Sequence, residues 1–262
     1  MLRALSNHWP EYLIEAACLA VFMVSANVFA TAIFHPSSPV ARWITDPLEA
    51  RFLMGLAMGG TAIALIFSPW GKRSGAHMNP ATTLTFYRLG RVSSWDALFY
   101  VAAQFAGGLA GTLVASAALG RLIAHPTVDY VATLPGSGGP WVAFAAELGI
   151  TFILMTTVLI VSNTKRLARY TGLFAGALVA AYITFESPLS GMSLNPARTF
   201  GSAVFASNYM ALWVYFVAPV AGMLLAAETY LRAGRARIAH CAKLHHENDQ
   251  RCIFFCRYGE LR

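Results

Sequence analysis

The triplet Asn-Pro-Ala occurs twice, at Asn79-Pro80-Ala81 and at Asn195-Pro196-Ala197, 116 positions apart (195 − 79), in an otherwise mostly apolar chain. Asparagine is among the best N-cap residues and proline is favoured at the first helical position, so each triplet opens a helix. The segments that follow, TTLTFYRL and RTFGSAVF, carry a helix of only about ten residues, where crossing a bilayer takes roughly 20. Irregular backbone leading into such a helix survives at membrane depth only where protein or an aqueous cavity surrounds it. The pair therefore predicts two re-entrant half-helices rather than two simple turns, the alternative that any single Asn-Pro permits.

The membrane setting follows from composition. Of 262 residues, 57% are hydrophobic and only 12% charged, where soluble domains carry about a quarter. Nearly uncharged runs cover Tyr12 to Phe34, Phe52 to Phe67, Ala97 to Leu119, Trp141 to Val161, Thr171 to Phe185 and Tyr209 to Ala227. Six spans in a lipid bilayer are expected, the second and fifth a few residues short. The first run is too long for a signal-peptide core and no small-residue cleavage site follows it, so it is expected to remain as an anchor.

Starting inside and crossing six times puts most of the cations on one side: Arg3, Lys72, Arg73, Arg88, Arg91, Lys165, Arg166, Arg169, and the tail residues Arg232, Arg235, Arg237, Lys243, Arg251, Arg257 and Arg262. Only Arg42, Arg51, Arg121 and Arg198 fall on the other. The positive-inside rule then places both termini in the cytoplasm. The net charge of +7 reports this topology, and cations spread over short loops without a binding motif speak against a nucleic-acid partner. The short loops and the lack of a targeting segment point to a bacterial inner membrane. Cys18 sits in a span and Cys241, Cys252 and Cys256 in the tail, which is no extracellular disulfide framework.

The chain also repeats itself. IEAACLAVFM from Ile14 parallels AELGITFILM from Ala146, and each half runs in the order glutamate, glycine-rich span, Asn-Pro-Ala, third span. Three crossings per half invert the second copy, which places a site near the midplane where the halves meet. The seam is Gly120 to Pro140, rich in Pro, Gly and Ser. The expected domains are a channel-like body over residues 1–231, with repeats at about 10–120 and 140–231, and a basic cytoplasmic tail over 232–262. In the body, two half-helices enter from opposite faces and their positive dipole ends, with the amides of Asn79 and Asn195, converge on one point. Such a point accepts a neutral, hydrogen-bonding solute and repels cations and hydronium.

SGAHMNPA and LNPARTFG resemble the signatures of the aquaporin superfamily, the major intrinsic proteins, and the likeness runs over residues 10 to 231. The resemblance implies an all-α bundle of six transmembrane helices plus two re-entrant half-helices, one pore per protomer, a homotetramer, and passive passage of water or small uncharged solutes. It also implies that Arg198 is the selectivity-filter arginine, that Glu15 and Glu147 accept hydrogen bonds from the re-entrant loops, and that His77 supports its loop and offers a carbonyl to the pore. Counting from the triplets without gaps, the remaining filter positions fall at Gly59, Ile183 and Met192. Gly59 also belongs to the small-xxx-small pattern Gly55 to Gly59, which allows close helix packing instead. With glycine and isoleucine where water channels of the family place an aromatic and a histidine, a wider, more apolar ring is expected, open to glycerol, urea or metalloid hydroxides as well as water.

A rival reading makes Glu15 and Glu147 the proton relay of a coupled secondary transporter, since carboxylates inside a membrane are functional by default. No nucleophile or ligand set suggests an enzyme, so no catalytic residue and no cofactor is expected. His240, Cys241, His245, His246, Cys252 and Cys256 crowd the tail, but their spacing fits no standard zinc template. The tail is expected to hold no metal and to lie solvated or against anionic lipid.

Overall fold

A computed structural model describes residues 1–233 and 238–261; of the tail cations, Arg235, Arg237 and Arg262 lie outside the described residues. Among the described residues six helices are long and apolar enough to cross a membrane: α1 (Leu2–Phe34) and α2 (Pro47–Phe67), then α4 (Ser94–Leu119), α5 (Gly139–Ser162), α6 (Thr171–Phe185, which reaches that length with the 3-10 turn Ala168–Tyr170 before it) and α8 (Leu212–Arg232). Between them, besides the shorter helical turns Pro39–Trp43, Pro69–Ser74 and Ser187–Ser190, lie the half-helices α3 (Pro80–Arg88) and α7 (Pro196–Ala206).

Several spans are longer than the uncharged runs suggested, most of all α1, which starts at Leu2 and not at Tyr12; α2 and α8 show the cause. Helix α2 starts at Pro47, where the carboxylate of Asp46 accepts from the N–H groups of Leu48 and Glu49, so its polar first turn adds length that a search for uncharged residues leaves out. Helix α8 continues past Ala227 because Glu228 in its last turn pairs with Arg88 at 2.7 Å. All six tryptophans are well exposed: Trp9, Trp70 and Trp95 on the face that carries the termini, Trp43, Trp141 and Trp213 on the other. Indole rings favour the headgroup level, so the two groups mark the borders of the bilayer.

The helices pair as an inverted repeat requires. Helix α1 packs along α4, α5 along α8, and α2 crosses α6 at the centre, while each half-helix leans on the last span of the opposite half, α7 on α4 and α3 on α8. Small residues make these approaches possible. A Cβ on Gly107 would stand 2.3 Å from the carbonyl oxygen of Ala16, and one on Gly222 would stand 2.5 Å from that of Leu148. Dispersion between closely apposed backbones is what holds helices together in lipid, where burial from water offers little.

Candidate functional site

Each half-helix begins as its sequence requires. The side-chain oxygen of Asn79 accepts from Ala81 N–H at 2.9 Å, and that of Asn195 from Ala197 and Arg198 N–H at 3.0 and 3.2 Å. With its oxygen committed to the cap, each asparagine has only its amide protons to offer elsewhere. One proton crosses to the other loop: Asn79 Nδ2 donates to Leu194 O at 2.7 Å, and Asn195 Nδ2 to Met78 O at 2.6 Å. The two helix N-termini are thereby fastened to each other, and both asparagines line one cavity of about 310 Å³ that runs between the halves.

The loops are held from behind by the two glutamates, both fully buried. Glu15 accepts from Ser74 Oγ at 2.8 Å, from the N–H groups of His77 and Met78 at 3.0 and 2.6 Å, and from Gln104 Nε2 at 2.9 Å. Glu147 does the same with Ser190 Oγ at 2.9 Å and with Ser193 and Leu194 N–H at 2.5 and 2.9 Å. Gly75 and Gly191 take left-handed φ of 97° and 77°, and Ala76, Met78, Met192 and Leu194 are left-handed too. Non-glycine residues resist that region, so the conformation persists because the carboxylates collect the N–H groups it displays. Neither glutamate is part of the cavity wall, and a carboxylate saturated with donors on the far side of a loop has no path to relay protons.

His77 is buried in the same support. Its Nε2 lies 2.8 Å from Ala242 O, which can only accept, so Nε2 carries the proton and Nδ1 takes the hydroxyl hydrogen of Thr83 at 3.0 Å. In the other half Ser193 takes the place of His77, its Oγ closely hydrogen-bonded to Thr199 Oγ1.

Arg198 reaches the cavity, and its Nη1 has no partner although buried. Opposite these donors the wall is apolar: Met54, Met58, Ala62 and Ile66 along α2 and Ala175, Val179 and Ile183 along α6 face the lumen at i, i+4 spacing. Ile183 packs with Met192, also in the wall.

Gly59 is not in that wall. A Cβ there would come within 2.5 Å of Gly176 O and 3.0 Å of Ala180 Cβ, so it belongs to the α2–α6 seam. A short helix, Pro69–Ser74, forms part of the connection between α2 and the first triplet. On α2 the lumen is lined instead by the stripe that includes Met54 and Met58.

The tail also departs from expectation. It packs on the terminal face, with Ala242, Lys243, Leu244 and Phe254 buried. Leu244 N–H donates to Gly75 O at 3.1 Å, its side chain closes the end of the lumen wall, and the ring of Phe254 stacks on His77 at 5.3 Å.

The family described as major intrinsic protein matches residues 8–230. The chain belongs to the major intrinsic protein family. Among relatives of this major intrinsic protein, aquaporin NIP2-1 of Zea mays is 32% identical over 229 residues, spanning 87% of this chain and 74% of the relative. Aquaporin NIP2-1 of Oryza sativa subsp. japonica is 36% identical over 230 residues, 87% and 73% of the two chains. The solved aquaglyceroporin of Plasmodium falciparum shares the fold, with a TM-score of 0.69 at 22% identity over 86% of this chain and 96% of that one. The protein is thus an integral multi-pass membrane protein of this family. Its plant relatives lend nothing to the bacterial inner membrane expected from the loops.

Proposed function

We propose that the protein is a passive channel for water and small uncharged solutes that refuses ions and protons. The observation that carries this reading is the pairing of Asn79 and Asn195 at the centre of a half-apolar lumen. Each retains an amide proton beyond the one it spends on the other loop, and both sit at positive helix ends, so a solute oxygen is welcomed there and a cation is not. Arg198 adds its unpartnered Nη1, and with Ile183, Met192 and, in place of Gly59, Met54 it forms the outer constriction. Three aliphatic or thioether side chains around one guanidinium suit glycerol- or urea-sized guests with one polar and one apolar edge.

In this reading residues 1–231 conduct, residues 232–262 form a cytoplasmic appendage, both termini are cytoplasmic, and four copies associate with one pore each. Stopped-flow light scattering of proteoliposomes tests the core of it. Water and glycerol flux are expected to follow their own gradients with no dependence on an imposed proton gradient; flux that requires the proton gradient would overturn the channel. Light scattering of the purified protein, expected at four times the 28.3 kDa chain mass, tests the assembly.

A further inference from the structure

Four tail side chains that are scattered in sequence meet in space. The ligand atoms of Cys241, His246, Cys252 and Cys256 all lie within 4.8 Å of one another. Cys241 Sγ is 3.6 Å from Cys252 Sγ, and Cys256 Sγ is 3.0 Å from His246 Nε2. A tetrahedral zinc ion with Zn–S near 2.3 Å and Zn–N near 2.0 Å needs sulfurs about 3.8 Å apart and sulfur to nitrogen about 3.6 Å. The four atoms therefore stand close to the corners such an ion requires, and far from the roughly 2.05 Å of a disulfide.

The surroundings suit a cation bound by thiolates. Three thiolates and an imidazole around a divalent ion leave one net negative charge, and the buried ammonium of Lys243 lies among the same cysteines, its Nζ donating to Gln250 O and Arg251 O at 3.0 and 2.7 Å. A void of about 10 Å³ touches Cys241, His246 and Lys243, space for an ion and not for a transported solute. The ring of His246 is set by stacking on Tyr258 at 4.2 Å. The two other tail histidines are engaged elsewhere, His245 against Phe67 and His240 beside Arg257 O.

Apart from the one short turn Tyr258–Glu260, the described tail has no regular secondary structure, yet its backbone is pinned to the body. His240 N–H donates to Asn163 Oδ1 at 2.7 Å and Phe255 N–H to Arg91 O at 2.9 Å, and the side chain of Arg251 adds a bond from Nη1 to Asn7 O at 3.1 Å. A segment this short has too small a core to order itself, and a metal is a common substitute for one. We propose that Cys241, His246, Cys252 and Cys256 bind one soft divalent cation of the zinc class, which clasps the tail so that Ala242 and Leu244 seat against the loop of the first triplet.

The test uses the full chain, purified in detergent under reducing conditions, reloaded with zinc and desalted. About one zinc per protomer is expected by mass spectrometry of the elements, and a Cys252→Ser, Cys256→Ser double variant is expected to fall at least about tenfold, with Zn–S bonds as the bulk of the affinity. Cobalt in place of zinc is expected to give the intense visible bands and thiolate charge transfer of a tetrahedral thiolate–imidazole site, shifted but retained in His246→Cys. With wild-type protein alone, chelation is expected to open the tail to trypsin at Lys243 and Arg251. A zinc content below about 0.1 per protomer, cobalt spectra that remain octahedral, trypsin cleavage indifferent to chelation, or a Cys241–Cys252 disulfide in the reduced preparation would each overturn the site. None of these readouts depends on what the pore conducts.

Discussion

Tyr100 and Tyr215 hold equivalent posts in the two halves: each phenol, fully buried, donates to the carbonyl of the serine that opens a re-entrant loop, Tyr100 to Ser74 and Tyr215 to Ser190, both at 2.7 Å. The serines in turn donate to Glu15 and Glu147. Each loop is thus gripped by a chain of tyrosine, serine and glutamate that repeats by inversion.

Tyr100→Phe and Tyr215→Phe each remove one buried hydrogen bond and keep the ring, at a cost of about 1 kcal/mol. Thermal unfolding followed by intrinsic fluorescence is expected to show similar falls of about 2–4 °C for the two. A loss confined to one of them would mean that the grips are not equivalent.

Replacing Arg198 by alanine takes away the free guanidinium donors and the charge at the constriction while leaving Asn79 and Asn195 tied together. Proton conductance of loaded liposomes is expected to rise by about tenfold, the worth of ~1.4 kcal/mol of barrier, with water flux kept within a factor of about two. Unchanged proton leakage would place the barrier wholly at the asparagines.

Met54→Phe and Gly59→Phe separate the two candidate positions on α2. The first narrows the lumen and is expected to lower glycerol flux several-fold, about 1 kcal/mol of barrier, before water flux changes. The second drives a side chain into the backbone of α6, where even a Cβ would be 2.5 Å from Gly176 O, and is expected to cost folded yield. A well-folded Gly59→Phe protein that excludes glycerol would restore Gly59 to the filter.

Glu186, which caps the end of α6, has both carboxylate oxygens buried, and burial raises its pKa to about 7 from an ordinary carboxylate value, with the nearby Ser190 offsetting only part of the rise. A carboxyl raised by folding favours the neutral form, so the fold loses stability as pH rises from the unfolded pKa through 7. Glu186→Gln mimics the neutral form: its melting temperature is expected to equal that of the wild type at about pH 5 and to exceed it by about 2–4 °C at about pH 8. Equal values at both would show that the carboxylate finds compensation when charged.

The parts legible in the sequence are those fixed by local rules. Asn79 and Asn195 announce their helices through capping chemistry, and the odd number of crossings per half inverts the second copy without any tertiary knowledge. Gly59 lies in the α2–α6 seam and not in the lumen wall, because which way a residue faces depends on how the following connection is folded, here with the Pro69–Ser74 helix, and a count from the triplet does not contain that. Met54 and Met58 read as ordinary apolar residues, since lipid-facing and lumen-facing side chains look alike in a membrane helix. The tail eluded reading for a different reason: Cys241 and Cys256 are brought together by a path of irregular backbone, and no periodicity encodes such a path.

The asparagine pair has one more consequence for what passes. With the loop N–H groups turned back to Glu15 and Glu147, the donors left at the middle of the lumen are the second amide protons of Asn79 and Asn195. A file of water threading this gap must point its oxygens at the centre and its hydrogens outward both ways. Water dipoles then face opposite directions above and below one molecule, and a Grotthuss chain that would hop a proton across is broken there by orientation, in addition to the charge of Arg198 and the helix ends.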